Sequence, residues 1–131
     1  MENDLEFNKA FIINHFEEFV NKRNSAIAYQ NLAEDFLDHD EMGGPVIGPE
    51  PAKQMMERMY SFFKDLHVSV EDIIAEGDKV MVRNIWSGTD QSGKRVQFKG
   101  FVLWRIKDKK IVERWATVTT LQDVKAGKPE W

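Results

Sequence analysis

The chain has 131 residues, 42% hydrophobic and 31% charged, enough to bury one core and too apolar for a disordered segment. A net charge of -4 argues against a nucleic-acid partner, which is held through clustered Lys and Arg. The absence of cysteine excludes a disulfide framework, thiol catalysis and a thiolate metal site, and it suits a reducing cytoplasm, where the protein is expected.

Met1 to Asp4 carry two acids and no Lys or Arg, unlike the basic head of a signal peptide, and no apolar run approaches the ~20 residues of a membrane span. One domain over 1–131 is expected, with its core in 4–121 and a tail over 122–131 that follows no recognisable pattern from Lys125 on. Asn3 with Glu6 forms a capping-box pattern. Leu5, Phe11, Ile12, Phe16, Phe19 and Val20 then recur at helical spacing, predicting a helix over 4–22. Asn24 and Ser25 offer the next cap, and Ile27, Leu32, Phe36 and Leu37 predict a shorter second helix. It runs out into an acidic loop, Asp38-His39-Asp40-Glu41. A third helix begins at Gly48-Pro49-Glu50, where proline at the first helical position loses no needed hydrogen bond. Met55, Met56, Met59, Tyr60, Phe62 and Phe63 supply its apolar face.

From His67 the hydrophobic period shortens to two, with turn signals at Gly77-Asp78, Ser92-Gly93 and Asp108-Lys109. Four antiparallel strands follow, at about 67–76, 79–90, 95–107 and 110–121, joined as a meander. The basic stretch Lys107 to Lys110 is the tip of the last hairpin. The predicted class is α+β, a cone-shaped roll of three helices on a curved, antiparallel four-stranded meander sheet with an apolar pocket between the layers. The third and fourth strands carry large apolar residues at both parities, so the sheet needs a second cover, and a twofold homodimer through the sheet is expected to supply it.

Glu17-Glu18-Phe19-Val20-Asn21, Phe36-Leu37-Asp38-His39-Asp40, Ile47-Gly48-Pro49-Glu50, the run Val70 to Val80, and Lys110-Ile111-Val112-Glu113-Arg114-Trp115 together resemble the SnoaL-like ester cyclases of the nuclear-transport-factor-2-like superfamily. The resemblance covers residues 8 to about 121 and implies a cone of helices on a curved sheet, dimers through that sheet, and closure of a polyketide ring by an intramolecular aldol condensation without metal or cofactor. It also implies an Asp acid/base after the Glu113-Arg114-Trp115 motif, a His on the preceding strand and an Asn on the third helix. Those positions hold Ala116, Val102 and Met55, none of which can transfer a proton. The last hairpin departs too, with Asp108-Lys109-Lys110 where the family often has glycine in the middle.

His39 and Asp40 are therefore candidates for a relocated acid/base, His39 because an unperturbed imidazole titrates near ~6.5. Arg114 shares the parity of Ala116 and could hold a ligand carboxylate or enolate oxygen. The expected pocket lining is Met55, Met59, Phe62, Asn84, Trp86, Val102, Trp104, Ala116 and Val118, an adaptable wall for a small apolar ligand. His15, among phenylalanines, and His67, at a strand edge, read as structural. No cofactor or metal site is expected, because consecutive residues such as Asp38 to Glu41 point in different directions.

Overall fold

The computed structural model describes residues 4–41 and 43–123, so the proposed cap at Asn3 and the tail from Lys125 lie outside the described residues. Asp4 caps the first helix, α1 (Leu5–Phe16), its carboxylate accepting the Phe7 N–H at 3.0 Å. Asn8, Ile12, His15 and Phe16 form the buried stripe of α1. Phe19 and Val20 extend it through a π-helical turn, Glu17–Asn21. Asn21 fastens that turn to the sheet: its amide exchanges hydrogen bonds with the Val68 backbone at 2.8 and 3.0 Å.

The second helix departs from the sequence expectation. α2 is only Ile27–Asn31, and the chain then extends into a strand, β1 (Leu32–Asp38). Spacing alone allowed the apolar residues of this stretch to be read as helical, but pairing decides the outcome. β1 lies parallel to β6 (Lys110–Val118), matching Leu37 with Glu113 and Asp38 with Arg114. A short β2 (Val46–Ile47) folds back onto β1. Gly48 then turns at φ 92°, a conformation that favours glycine, and delivers the chain into α3 (Pro49–Phe62).

The meander consists of β3 (His67–Glu76), β4 (Lys79–Thr89), β5 (Arg95–Lys107) and β6. The sheet, however, is mixed rather than antiparallel and has seven strands among the described residues instead of four. Its order is β2-β1-β6-β5-β4-β3, with β7 (Gln122–Asp123) pairing onto β5. The β5–β6 turn places Asp108 at φ 51° and Lys109 at φ 61°, a left-handed pair without glycine. Such backbone costs roughly 1–2 kcal/mol per residue.

Cross-strand partners share a face, and Val80, Val82, Val102, Trp104 and Ile106 project from the inner face under the helices, each at most 5% exposed. Leu32, Phe36 and Ile111 complete the floor of this core. Among the described residues, no helix is long and apolar enough to cross a membrane.

Candidate functional site

Between helices and sheet lies a cavity of about 40 Å³. His15 and Phe16 come to it from α1, Phe19 and Val20 from the π turn, and Ala52, Met55 and Met56 from α3. The sheet supplies Leu32, Phe36 and Asp38 from β1, Trp86 from β4, Trp104 from β5 and Arg114 from β6. The volume accommodates a few water molecules. Its walls are mostly aromatic, aliphatic or thioether; its polar groups are few and specifically placed.

The parallel pairing of β1 with β6 puts Asp38 opposite Arg114. Arg114 Nη1 donates to both carboxylate oxygens of Asp38, at 2.9 and 3.1 Å, and the guanidinium carbon lies 5.7 Å from the centre of the Trp104 ring. Both bonds come from Nη1, so Nε and Nη2 remain as donors without a hydrogen-bonded partner among the described residues. The indole Nε1 of Trp104 is also buried without an acceptor there. His15 is held between Phe19, stacked at 5.1 Å, and Trp104, edge-on at 5.5 Å. Its Nδ1 lies 2.9 Å from the Asn31 amide nitrogen; with that nitrogen donating, Nδ1 accepts and the ring proton resides on Nε2. Burial, and secondarily the Arg114 charge, push the His15 pKa down to about 3, so the ring is neutral at physiological pH.

Of the residues expected to line the pocket, Met55, Trp86 and Trp104 do so, and Arg114, the candidate for holding a ligand oxygen, reaches it as well. Val102 and Ala116 share the inner face beside them, and Met59 packs against the core without reaching the cavity. Asn84 is on the same face and fully buried, with both amide atoms unpartnered among the described residues. Phe62 and Val118 belong elsewhere: they are 58% and 51% exposed, Phe62 near the end of α3 and Val118 at the last residue of β6.

The acidic run is a loop only from His39 on, where a turn follows the end of β1. Asp38 closes β1 and points inward, whereas His39 lies on the opposite, outer face, stacked on Trp115 at 4.7 Å. His39 Nε2 is 2.8 Å from Glu113, which also accepts from Arg105 Nε at 2.6 Å, and these two bonds hold the Glu113 carboxyl below its usual range. Asp40 accepts the Ala116 N–H at 2.8 Å and so prolongs the β1–β6 pairing. His39 and Asp40 serve the sheet rather than the cavity. Two polar groups of the pocket, His15 and Asp38, go beyond the lining expected from sequence. Their signals were the α1 stripe through Ile12 and Phe16, and the alternation of Phe36 with Asp38, visible only once that stretch is taken as a strand. Among the described residues, no group of three or more His, Cys, Asp or Glu is arranged to hold a metal ion.

Helices closing over a curved sheet around a small cavity with buried polar groups define a roll-type α+β pocket protein. The chain belongs to the SnoaL-like polyketide cyclase family, whose sequence model matches residues 10–123. AclR from Streptomyces galilaeus, a candidate hydroxylase, superimposes with a TM-score of 0.78 at 22% identity, over 88% of this chain and 91% of that one. IdmH from Streptomyces antibioticus, a candidate polyketide cyclase, gives 0.74 at 23% identity over 85% and 91%. A candidate SnoaL-like polyketide cyclase from Jannaschia gives 0.76 at 19% identity over 90% of each chain. At such identities the likeness is one of fold. No curated protein sequence matches this chain.

Proposed function

We propose that the protein binds an apolar, polyketide-like small molecule in the cavity between helices and sheet, without the family's aldol route. The observation that carries this reading is the Arg114–Asp38 pair set into an aromatic wall. A buried ion pair adds little stability over an apolar replacement, whereas oriented donors beside an apolar cavity suit a ligand oxygen. The Ala116, Val102 and Met55 that replace the family's Asp, His and Asn favour holding over proton transfer. At about 40 Å³ the cavity admits such a ligand only if Met55 and Met56 change rotamer, which unbranched thioether chains do readily.

Native mass spectrometry of the purified protein tests this. A retained small molecule, lost in Met55→Trp and weakened in Arg114→Met, is the expected result; the same molecule retained equally by all three proteins would refute it. A second reading, cofactor-independent cyclase, isomerase or hydrolase chemistry, moves from His39 and Asp40 to His15, the neutral imidazole at the cavity wall. Turnover of a bound polyketide that disappears in His15→Gln while binding persists would select it.

The working unit we propose is a cytoplasmic homodimer. Ile74, Met81, Leu103 and Trp115 form one apolar row across four strands on the outer face, and Ile74 is 68% exposed. A second copy related by a twofold axis would cover it.

A further inference from the structure

A second and larger void, a groove of about 300 Å³, runs along the outside of the molecule between α1 and β3. Its floor is apolar, formed by Ile13, Phe16, Val70 and Ile73, and its rim carries Glu17, Glu71 and Asp72. Phe16 also lines the inner cavity, and among the described residues it is the one that both linings share. Its ring packs edge-on against Trp86 at 6.2 Å and Trp104 at 5.6 Å.

Both secondary structures that border the groove are irregular there. The π-helical turn begins at Glu17, immediately after Phe16, and β3 bulges between Val70 and Asp72. Such irregularities in helix and strand recur at functional sites, where they re-aim side chains. Asn84 lies directly opposite Val70 of the groove floor, Trp86 of the cavity wall follows it on the same face, and its buried amide has no partner among the described residues. The rim is acidic: Asp72 is paired with Arg83, while Glu17 and Glu71 bond to Asn21 and Ser69 and carry no ion pair among the described residues.

We infer that the groove and the cavity are two halves of one ligand site, gated by Phe16, and that the groove takes the cationic end of an elongated amphiphile whose apolar body passes inward. This deepens the proposed binding function and rests on it. Rotation of the Phe16 side chain joins the two spaces over Asn84, and the combined site then reaches the size at which small-molecule pockets begin, about 300–1,000 Å³. Charge complementarity with Glu17 and Glu71 assigns the outer end a protonated amine.

The test uses octylamine, with octanol as its uncharged counterpart, followed in stopped flow through the intrinsic tryptophan fluorescence, to which Trp86 and Trp104 at the cavity wall contribute. Phe16→Leu, which keeps most of the buried volume, is expected to speed association and dissociation together by about tenfold with little change in affinity, the mark of a gate rather than a wall. Phe16→Trp should slow both. Glu17→Gln with Glu71→Gln should weaken octylamine about fivefold and leave octanol unchanged. Unchanged rates in both Phe16 variants, with Met55→Trp still abolishing binding, would overturn the gate and leave the cavity reading intact. Octylamine binding that ignores Met55→Trp would remove the inner half of the site and the cavity reading with it. Equal loss of octanol and octylamine in the glutamate variant would overturn the amine assignment.

Discussion

His15 stays uncharged because proton uptake would place a cation in the core beside Arg114. Its folded pKa, about 3, lies below the ordinary 6.5, so between those values the unfolded chain binds a proton that the folded one refuses. Stability therefore falls as the pH drops through that window, by up to ~1.4 kcal/mol per pH unit from this group. Urea unfolding of wild type and His15→Phe between pH 6.5 and 5 should give a shallower decline for the variant, and parallel profiles would contradict the assignment. Asp38 offers a complementary experiment. Asp38→Ala leaves the Arg114 cation without its counter-ion and should cost about 3–5 kcal/mol in unfolding free energy, most of it restored by adding Arg114→Met. If the double variant is no more stable than the single, the loss has another origin.

At the scale of elements, the β5–β6 pairing depends on Gly100, and here the absence of a side chain matters more than backbone freedom. A Cβ at that position would lie 2.5 Å from Val118 Cγ1 and 2.7 Å from the Thr117 carbonyl oxygen. Gly100→Ala should lower stability by about 2 kcal/mol in chemical denaturation, and a neutral result would mean that the end of β6 shifts without cost. The elements readable from sequence were those with a strong local signal. α3 announces itself with Gly48-Pro49 and its methionine face, and β3 to β5 with period two between turns. β1 gave only a weak signal, because five steps along it, Leu32 to Leu37, match only two on β6, and a regular alternation is left only over Phe36 to Asp38. Its identity as a strand is imposed by a partner about 80 residues away, the kind of information a local pattern does not contain. The same gap hid part of the site. Arg114 and the tryptophans could be placed by parity within the meander, whereas Asp38 and the true setting of His39 required β1 in position.

At the scale of the whole molecule, the outer face carries the apolar row from Ile74 to Trp115, with the Arg83–Asp72 pair on one side and the Arg105–Glu113 pair on the other. Leu103→Lys at the middle of the row should convert a sedimenting dimer to monomer at micromolar concentration while far-ultraviolet circular dichroism stays unchanged. A wild-type protein that sediments only as monomer would end the dimer proposal.

The parallel seam between β1 and β6 carries a further consequence, for the order of folding. β1 is made early, but its neighbour in the sheet, β6, leaves the ribosome only after β3, β4 and β5. Until then its Leu32 and Phe36 have no β6 to lie against, and its hydrogen-bonding edge is open to other chains. Closing this long loop is entropically expensive and belongs late in assembly, after the local β3–β5 hairpins. Because Asp38 and Arg114 meet only across that seam, the cavity takes its final form in the same late event, and a chain halted before Arg114 would have most of its sheet but no binding site.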